Sequence, residues 1–355
     1  MLLFFFALGL AALVVGAELL VRGSGRLALS FGISPLVVGL TVVAFGTSAP
    51  EVAVSVGAAL RGVPELAVGN VVGSNVFNVL FILGVSALIV PLSVNAQIIR
   101  QEVPILIGAS FLLLVQCLDG VLGRTEAGLL LFLLVAYTVF LVRQSRRARP
   151  TVVEEFADVA PRGRWDRHWS VQVLMVAVGL GLLVVGANAL VRAATSFAEA
   201  LGISDLVIGL TIVAAGTSLP EVATSIMAAV RGERDIAIGN VVGSNTFNLL
   251  GCLGTTGLVA EGGLPIASSV LGFDLWVMLA VALACLPVFL TGRVIARWEG
   301  ALFLSYYVAY TGYLTLNAME SAWLPTLRVA MLSFVLPLTI VTLVVCIMRA
   351  PRSEV

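Results

Sequence analysis

The sequence predicts an all-α polytopic membrane protein built from two inverted five-helix repeats (5+5 transmembrane helices), with an eleventh, C-terminal helix added. Three observations lead there. Of 355 residues, 60% are apolar and 11% charged, with a mean hydropathy of +1.10; soluble domains run near 45–50% and about 25%. Apolar runs recur along nearly the whole chain, and each reaches the ~18 residues needed to cross roughly 30 Å of hydrocarbon as a helix. The chain also matches itself at an offset of 170 residues, without a gap from Val14 to Gly84.

Weighing apolar length against Gly, Pro and Arg breaks places the spans at 2–21, 34–60, 66–89, 102–118, 125–142, 170–191, 205–230, 236–260, 272–291, 299–316 and 329–348. The first has no basic leader and no small-residue cleavage site, and it has a counterpart later in the chain, so it is expected to remain as a helix. All twenty basic residues are Arg. With the N-terminus outside, sixteen of them fall inside and only Arg61, Arg124, Arg192 and Arg328 fall outside. That bias supports an odd number of spans with the 143–169 loop and the C-terminus in the cytoplasm. The organisation is then a first repeat at 1–142, an Arg-rich connector at 143–169, a second repeat at 170–316 and an extra helix with a short tail at 317–355. The short loop and the absence of Lys point to a prokaryotic plasma membrane.

Between 32–84 and 202–254, 35 of 53 positions are identical. Five helices per unit is an odd number, so the second unit enters the membrane upside down. Inverted repeats typify secondary transporters, whose sites lie near the bilayer midplane on interrupted helices.

The most similar stretches are also the most polar within the spans: G-T-S-A-P-E at 46–51 with G-N-V-V-G-S-N-V-F-N at 69–78, and G-T-S-L-P-E at 216–221 with G-N-V-V-G-S-N-T-F-N at 239–248. Glu51 and Glu221 fall deep in their spans, whereas Glu65, Glu102, Glu126, Asp274 and Glu299 fall near ends, where an interfacial position costs little. An ionised side chain at the centre of a membrane helix costs roughly 2.5–3.5 kcal/mol. No Arg lies deep enough to offset it, so the carboxyls are either protonated or matched by an exogenous cation, and the duplicated hexapeptide favours the cation. Thr47 and Glu51 stand at i and i+4, as do Ser74 and Asn78, so each pair shares a helix face. Pro50 and Gly46 are expected to open the helix and turn the carbonyls of Ala44 and Phe45 toward the site. The second half offers Thr217, Ser218, Glu221, Ser244, Asn248 and the carbonyl of Ala214. Oxygen donors with two carboxylates suit Ca2+ or Na+ rather than zinc or copper.

Other polar and small residues read as structure. Gly39, Gly69, Gly73 and their repeat mates suit helix packing. Ser34-Pro35 and Ser204-Asp205 read as helix starts, and Arg61-Gly62 and Arg231-Gly232 as helix ends. Asn75 and Asn245 suit bracing of the helix break, and Glu18, matched by Asn188, suits an interfacial or packing position. Cys117, Cys252, Cys285 and Cys346 stand singly in or beside apolar segments as inert thiols, and His168 lies in a polar loop.

The duplicated G-T-S-x-P-E and G-S-N-x-F-N motifs, 27 residues apart from Glu51 to Asn78 and from Glu221 to Asn248, resemble the α-repeats of the sodium/calcium exchanger family, within the calcium/cation antiporter superfamily. The resemblance covers both repeats. It implies a five-plus-five antiporter that exchanges Na+ for Ca2+ by alternating access, electrogenic at three Na+ per Ca2+. Carried over by motif, Glu51 and Glu221 ligate Ca2+; Thr47, Ser48, Thr217, Ser218, Ser74 and Ser244 serve mainly Na+; and the carbonyls of Ala44 and Ala214 assist. Some relatives carry Asp at the position of Asn248, so this site has one ionisable group fewer, and the eleventh helix exceeds the common ten. The first and sixth helices, which carry no deep carboxylate, are expected to slide across the site.

The partners implied are the lipid bilayer and the two transported ions, with no cofactor, nucleic acid or protein partner. A Ca2+/H+ antiporter would use the same glutamates as proton carriers. An aquaporin-type channel shares inverted repeats but lacks paired carboxylates and breaks its helices at N-P-A. No nucleophile–base pair or cofactor loop points to an enzyme.

Overall fold

The computed structural model describes residues 2–147, 168–200 and 214–349. Its helices are α1 (Leu2–Phe31), α2 (Pro35–Thr47), α3 (Ala49–Leu60), α4 (Glu65–Ile89), α5 (Ile98–Gln116), α6 (Arg124–Arg147), α7 (Trp169–Ala200), the single turn α8 (Ala214–Gly216), α9 (Leu219–Val230), α10 (Arg234–Val259), α11 (Val270–Leu290), α12 (Arg297–Ala318) and α13 (Leu324–Cys346 and onward to Arg349). Each of the eleven expected spans therefore has a helix, although residues 205–213 of the seventh lie outside the described residues.

The expected boundaries shift for physical reasons. α1 runs ten residues beyond its apolar stretch, because Arg22 and Arg26 end the hydrophobic run without ending the helix. Likewise α6 continues to Arg147, so the connector begins later than 143. The expected span at 34–60 is two helices, α2 and α3, meeting at a 43° bend. Ser34 caps α2 by accepting the Val37 amide at 3.3 Å, with Pro35 at the first helical position. Ser204 lies outside the described residues. Gly62 and Gly232 terminate α3 and α9 at φ +77° and +81°, a left-handed backbone suited to glycine.

Four two-residue strands join the halves: β1 (Leu92–Ser93), β2 (Val121–Leu122), β3 (Leu264–Pro265) and β4 (Val294–Ile295). β1 pairs with β4, and β2 with β3, both antiparallel. β1 follows the third span of the first half and β4 the fourth span of the second. Upright repeats would put those loops on opposite membrane faces, so the ladders require the inversion.

Glycines set the tightest approaches. A Cβ on Gly16 would lie 2.9 Å from Gly179 O, and one on Gly186 2.8 Å from Gly9 O, so α1 and α7 touch backbone to backbone in antiparallel register. The packing role holds at Gly39, Gly239 and Gly243, each against neighbouring backbone. For Gly69 and Gly73 the repeat equivalents of that backbone, Leu206 and Leu210, lie outside the described residues. α10 is the most enclosed span, whereas α1, α7 and α13 present most of their surface outward.

Two readings of the acids are corrected. Glu102 and Glu299 lie near helix ends yet are 0% and 1% exposed. Glu102 accepts from Tyr137 Oη at 2.7 Å, Gln97 at 2.9 Å and Gln101 at 2.8 Å, all contributed by protein. Glu299 accepts the Ala296 amide at 2.8 Å, capping α12. At the equivalent place in the second half Tyr310 donates to Asp274 at 2.8 Å. Tyr137→Phe removes one donor from a fully buried carboxylate and is expected to cost about 1–3 kcal/mol, read as a lowered thermal midpoint in detergent. Glu18 is more than an interfacial residue: it forms an ion pair with Arg231 at 2.7 Å, joining α1 to the end of α9. Cys117, Cys252 and Cys285 are buried and Cys346 half-buried, all as free thiols, and His168 is exposed.

Candidate cation site

The bend between α2 and α3 arises from Pro50, which has no amide hydrogen to give Gly46 O. Helical bonding survives on both sides, from Ser48 N to Ala44 O at 3.0 Å and from Val52 N to Ser48 O at 3.2 Å. Ala44 O thus keeps its helical partner and also accepts from Thr47 Oγ1 at 3.4 Å, so the opening falls later than the sequence suggested. The second half repeats the break, with α9 starting at Leu219 after a turn at Thr217 and Ser218. Ala214 is the first described residue of that stretch and is helical.

Both breaks place a glutamate in the first turn of the following helix, where the helix dipole favours negative charge. Glu51 and Glu221 are each 0% exposed. They exchange partners across the repeats: Ser218 Oγ donates to Glu51 Oε1 at 2.9 Å, and Ser48 Oγ donates to Glu221 Oε1 at 3.1 Å. Thr217 lies beside Glu51, and Thr47 beside Glu221, across the same interface. Thr47 Oγ1 further meets Val43 O at 3.1 Å, Asn240 Oδ1 at 3.1 Å and Ser244 Oγ at 3.5 Å. No positive side chain pairs with either glutamate among the described residues.

The facing walls come from α4 and α10. Ser74 and Ser244 are buried, and Asn78 and Asn248, 1% and 0% exposed, each begin a π-helical turn, Asn78–Leu83 and Asn248–Cys252. Such turns widen the helix and are frequent at functional sites. Asn78 Nδ2 donates to Asn245 Oδ1 at 2.9 Å and Asn248 Nδ2 to Asn75 Oδ1 at 3.4 Å. Asn245 Nδ2 reaches Asn75 O at 3.2 Å and Asn75 Nδ2 reaches Asn245 O at 3.4 Å, so the pair braces α4 against α10 across the two repeats rather than the helix break.

The structure therefore gathers Thr47, Ser48, Glu51, Ser74 and Asn78 with Thr217, Ser218, Glu221, Ser244 and Asn248 at one interface between the halves. Among the described residues, four buried oxygens of this group find no hydrogen-bond donor: Glu51 Oε2, Glu221 Oε2, Asn78 Oδ1 and Asn248 Oδ1.

Sequence reasoning missed a second tier. Asn70 Nδ2 donates to Ser55 Oγ at 3.1 Å and Glu51 O at 3.5 Å, and Asn240 Nδ2 donates to Ser225 Oγ at 2.9 Å and Glu221 O at 3.5 Å. These bonds pin each glutamate-bearing helix to α4 or α10. The signal was present, since Asn70 and Asn240 occupy the same place in the duplicated G-N-V-V-G run.

The sodium/calcium exchanger protein family matches residues 1–143 and 171–316, leaving α13 outside the match. The putative antiporter CaxA of Alkalimonas amylolytica is 39% identical over 312 residues, 86% of this chain and 96% of that protein. The sodium/calcium exchanger MaX1 of Methanosarcina acetivorans is 34% identical across 85% of this chain and 95% of its own. A solved structure of the sodium-calcium exchanger NCX_Mj, soaked with zero Na+ and Ca2+, superposes with a TM-score of 0.76 at 31% identity, covering 88% of this chain and 98% of that one. Both repeats and the site they share lie within these matches, and the chain is a multi-pass membrane protein that belongs to the sodium/calcium exchanger family.

Proposed function

We propose that this protein is a secondary antiporter that exchanges Na+ for Ca2+ by alternating access, with both ions competing for the cluster between the two repeats. The observation that carries the reading is the set of four unpartnered oxygens, two carboxylate and two carboxamide, arranged as symmetric pairs. Each buried acceptor left without a partner costs about 1–3 kcal/mol, and a hard cation satisfies all four together. In this reading Glu51 and Glu221 supply two negative charges that one Ca2+ neutralises. Asn78 and Asn248 complete its shell, while the hydroxyls of Thr47, Ser48, Thr217, Ser218, Ser74 and Ser244 serve mainly Na+, with the carbonyls of Ala44 and Ala214 assisting. Several Na+ entering the same ligands displace Ca2+, and more than two of them make the exchange electrogenic. The reading is supported by MaX1 and NCX_Mj, which are described as sodium/calcium exchangers. The orientation that suits the Arg distribution has the N-terminus outside and both the connector and the C-terminus in the cytoplasm of a plasma-membrane protein.

A second reading, Ca2+/H+ antiport, is favoured by one feature: two buried carboxylates without a basic partner are also satisfied by protons. Gradients imposed one at a time separate the two. In proteoliposomes, an outward Na+ gradient at clamped pH is expected to drive uptake of radiolabelled Ca2+, faster at inside-positive potential. A pH gradient without Na+ should drive none. Uptake that follows the pH gradient alone would overturn the Na+ reading.

A further inference from the structure

We infer that Asn75 and Asn245 are positioning residues of the ion site, which hold the carboxamides of Asn78 and Asn248 with oxygen toward the ions and nitrogen away. The inference rests on the exchanger reading above. The two ends of a carboxamide are nearly equal in size, and only the oxygen end can bind a cation, so something must fix the choice before the ion arrives. Asn78 Nδ2 points at Asn245 Oδ1 and Asn248 Nδ2 at Asn75 Oδ1. Those two oxygens are themselves held as acceptors, because the amide nitrogens of Asn245 and Asn75 are used on the backbone carbonyls of Asn75 and Asn245. Asn75 Nδ2 also reaches Met278 Sδ at 3.7 Å, which again accepts. Turning any one of the four amides over would set hydrogen against hydrogen or oxygen against oxygen. All four residues are at most 2% exposed, so water cannot relieve the mismatch.

The ring also selects amide over acid. A carboxylate at 78 or 248 would face the Asn245 or Asn75 oxygen acceptor to acceptor, so the arrangement holds the formal charge of the cluster at the two glutamates.

The test is steady-state Ca2+ uptake into proteoliposomes by wild type, Asn245→Leu, Asn75→Leu and Asn245→Asp, each checked as monodisperse. Leucine removes the acceptor that pins the partner amide, whereas aspartic acid, buried as the neutral carboxyl, keeps both an acceptor where Asn78 Nδ2 arrives and a donor toward Asn75 O. Each leucine variant is expected to raise the half-saturating Ca2+ concentration about tenfold or more, with the maximal rate changed much less. Asn245→Asp should restore most of the affinity. Leucine variants that keep wild-type half-saturation overturn the inference, as do leucine and aspartate variants that lose affinity equally. A wild type with no Na+-driven uptake sinks the exchanger reading itself, whereas an active wild type with unaffected leucine variants sinks the positioning role alone.

Discussion

Replacing Glu51 or Glu221 by Gln is expected to abolish Na+-gradient-driven Ca2+ uptake. Each substitution keeps the size of the side chain and its ability to accept from Ser218 or Ser48, so the helix break and the cross-repeat bonds survive. What is lost is one of two buried negative charges for which the described residues supply no positive partner. Breaking a buried charge pairing costs roughly 3–5 kcal/mol, on the order of a hundred- to several thousandfold in affinity. The near-symmetry of the site makes the two variants comparably severe. Ser48→Ala and Ser218→Ala each remove one charge-assisted hydrogen bond and should be milder, at about 1.5–3 kcal/mol. If Glu51→Gln protein took up Ca2+ at the wild-type rate and concentration dependence, the carboxylates would not be the ion ligands.

The second large effect lies where the site meets its scaffold. Gly243→Ala adds one methyl group that would sit 2.6 Å from Leu40 O, 2.7 Å from Leu40 Cα and 2.9 Å from Ala44 Cβ. Two of those atoms are backbone, so α2 and α10 must part. Overpacking of this kind costs about 1–3 kcal/mol, expected as a clear drop in thermal midpoint. The displacement also reaches the proposed ion ligands, because Thr47 on α2 is tied to Asn240 and Ser244 on α10. Uptake should therefore fall further than stability alone explains. Gly108→Ala is the control: its Cβ meets nothing within 4 Å, and both stability and uptake should hold. An unchanged midpoint in Gly243→Ala would mean that α2 and α10 are packed less closely than described.

How much of this was legible in the sequence differs from residue to residue. The repeat, the inversion and the two deep glutamates could be read because duplication marks positions and parity fixes direction. Partner choice could not be read. A one-dimensional motif places Ser48 and Glu51 on one helix, but nothing in it says that Ser48 serves the glutamate of the other repeat. The burial of Glu102 was missed for a related reason: nearness to a helix end is local, whereas enclosure is decided by Tyr137 arriving from α6. Asn70 and Asn240 were passed over because a polar residue between a glycine and a valine shows no partner until α3 and α9 are set beside it. The length of α1 was underestimated because an apolar run measures hydrocarbon thickness, not helix length.

The short β-ladders have a consequence for biosynthesis. Val121–Leu122 has no strand to pair with until Leu264–Pro265 has been translated, and Leu92–Ser93 must wait for Val294–Ile295. The first half therefore emerges from the ribosome and enters the bilayer with both of these loops unmatched, and contacts so distant in sequence form late. The proposed ion site obeys the same schedule, since the partners that Ser48 and Glu51 find across the repeats, Glu221 and Ser218, belong to the second half. Assembly of the cation cluster is thus a final step of folding, reached only after the inverted half has inserted and the two membrane faces have each been stitched closed.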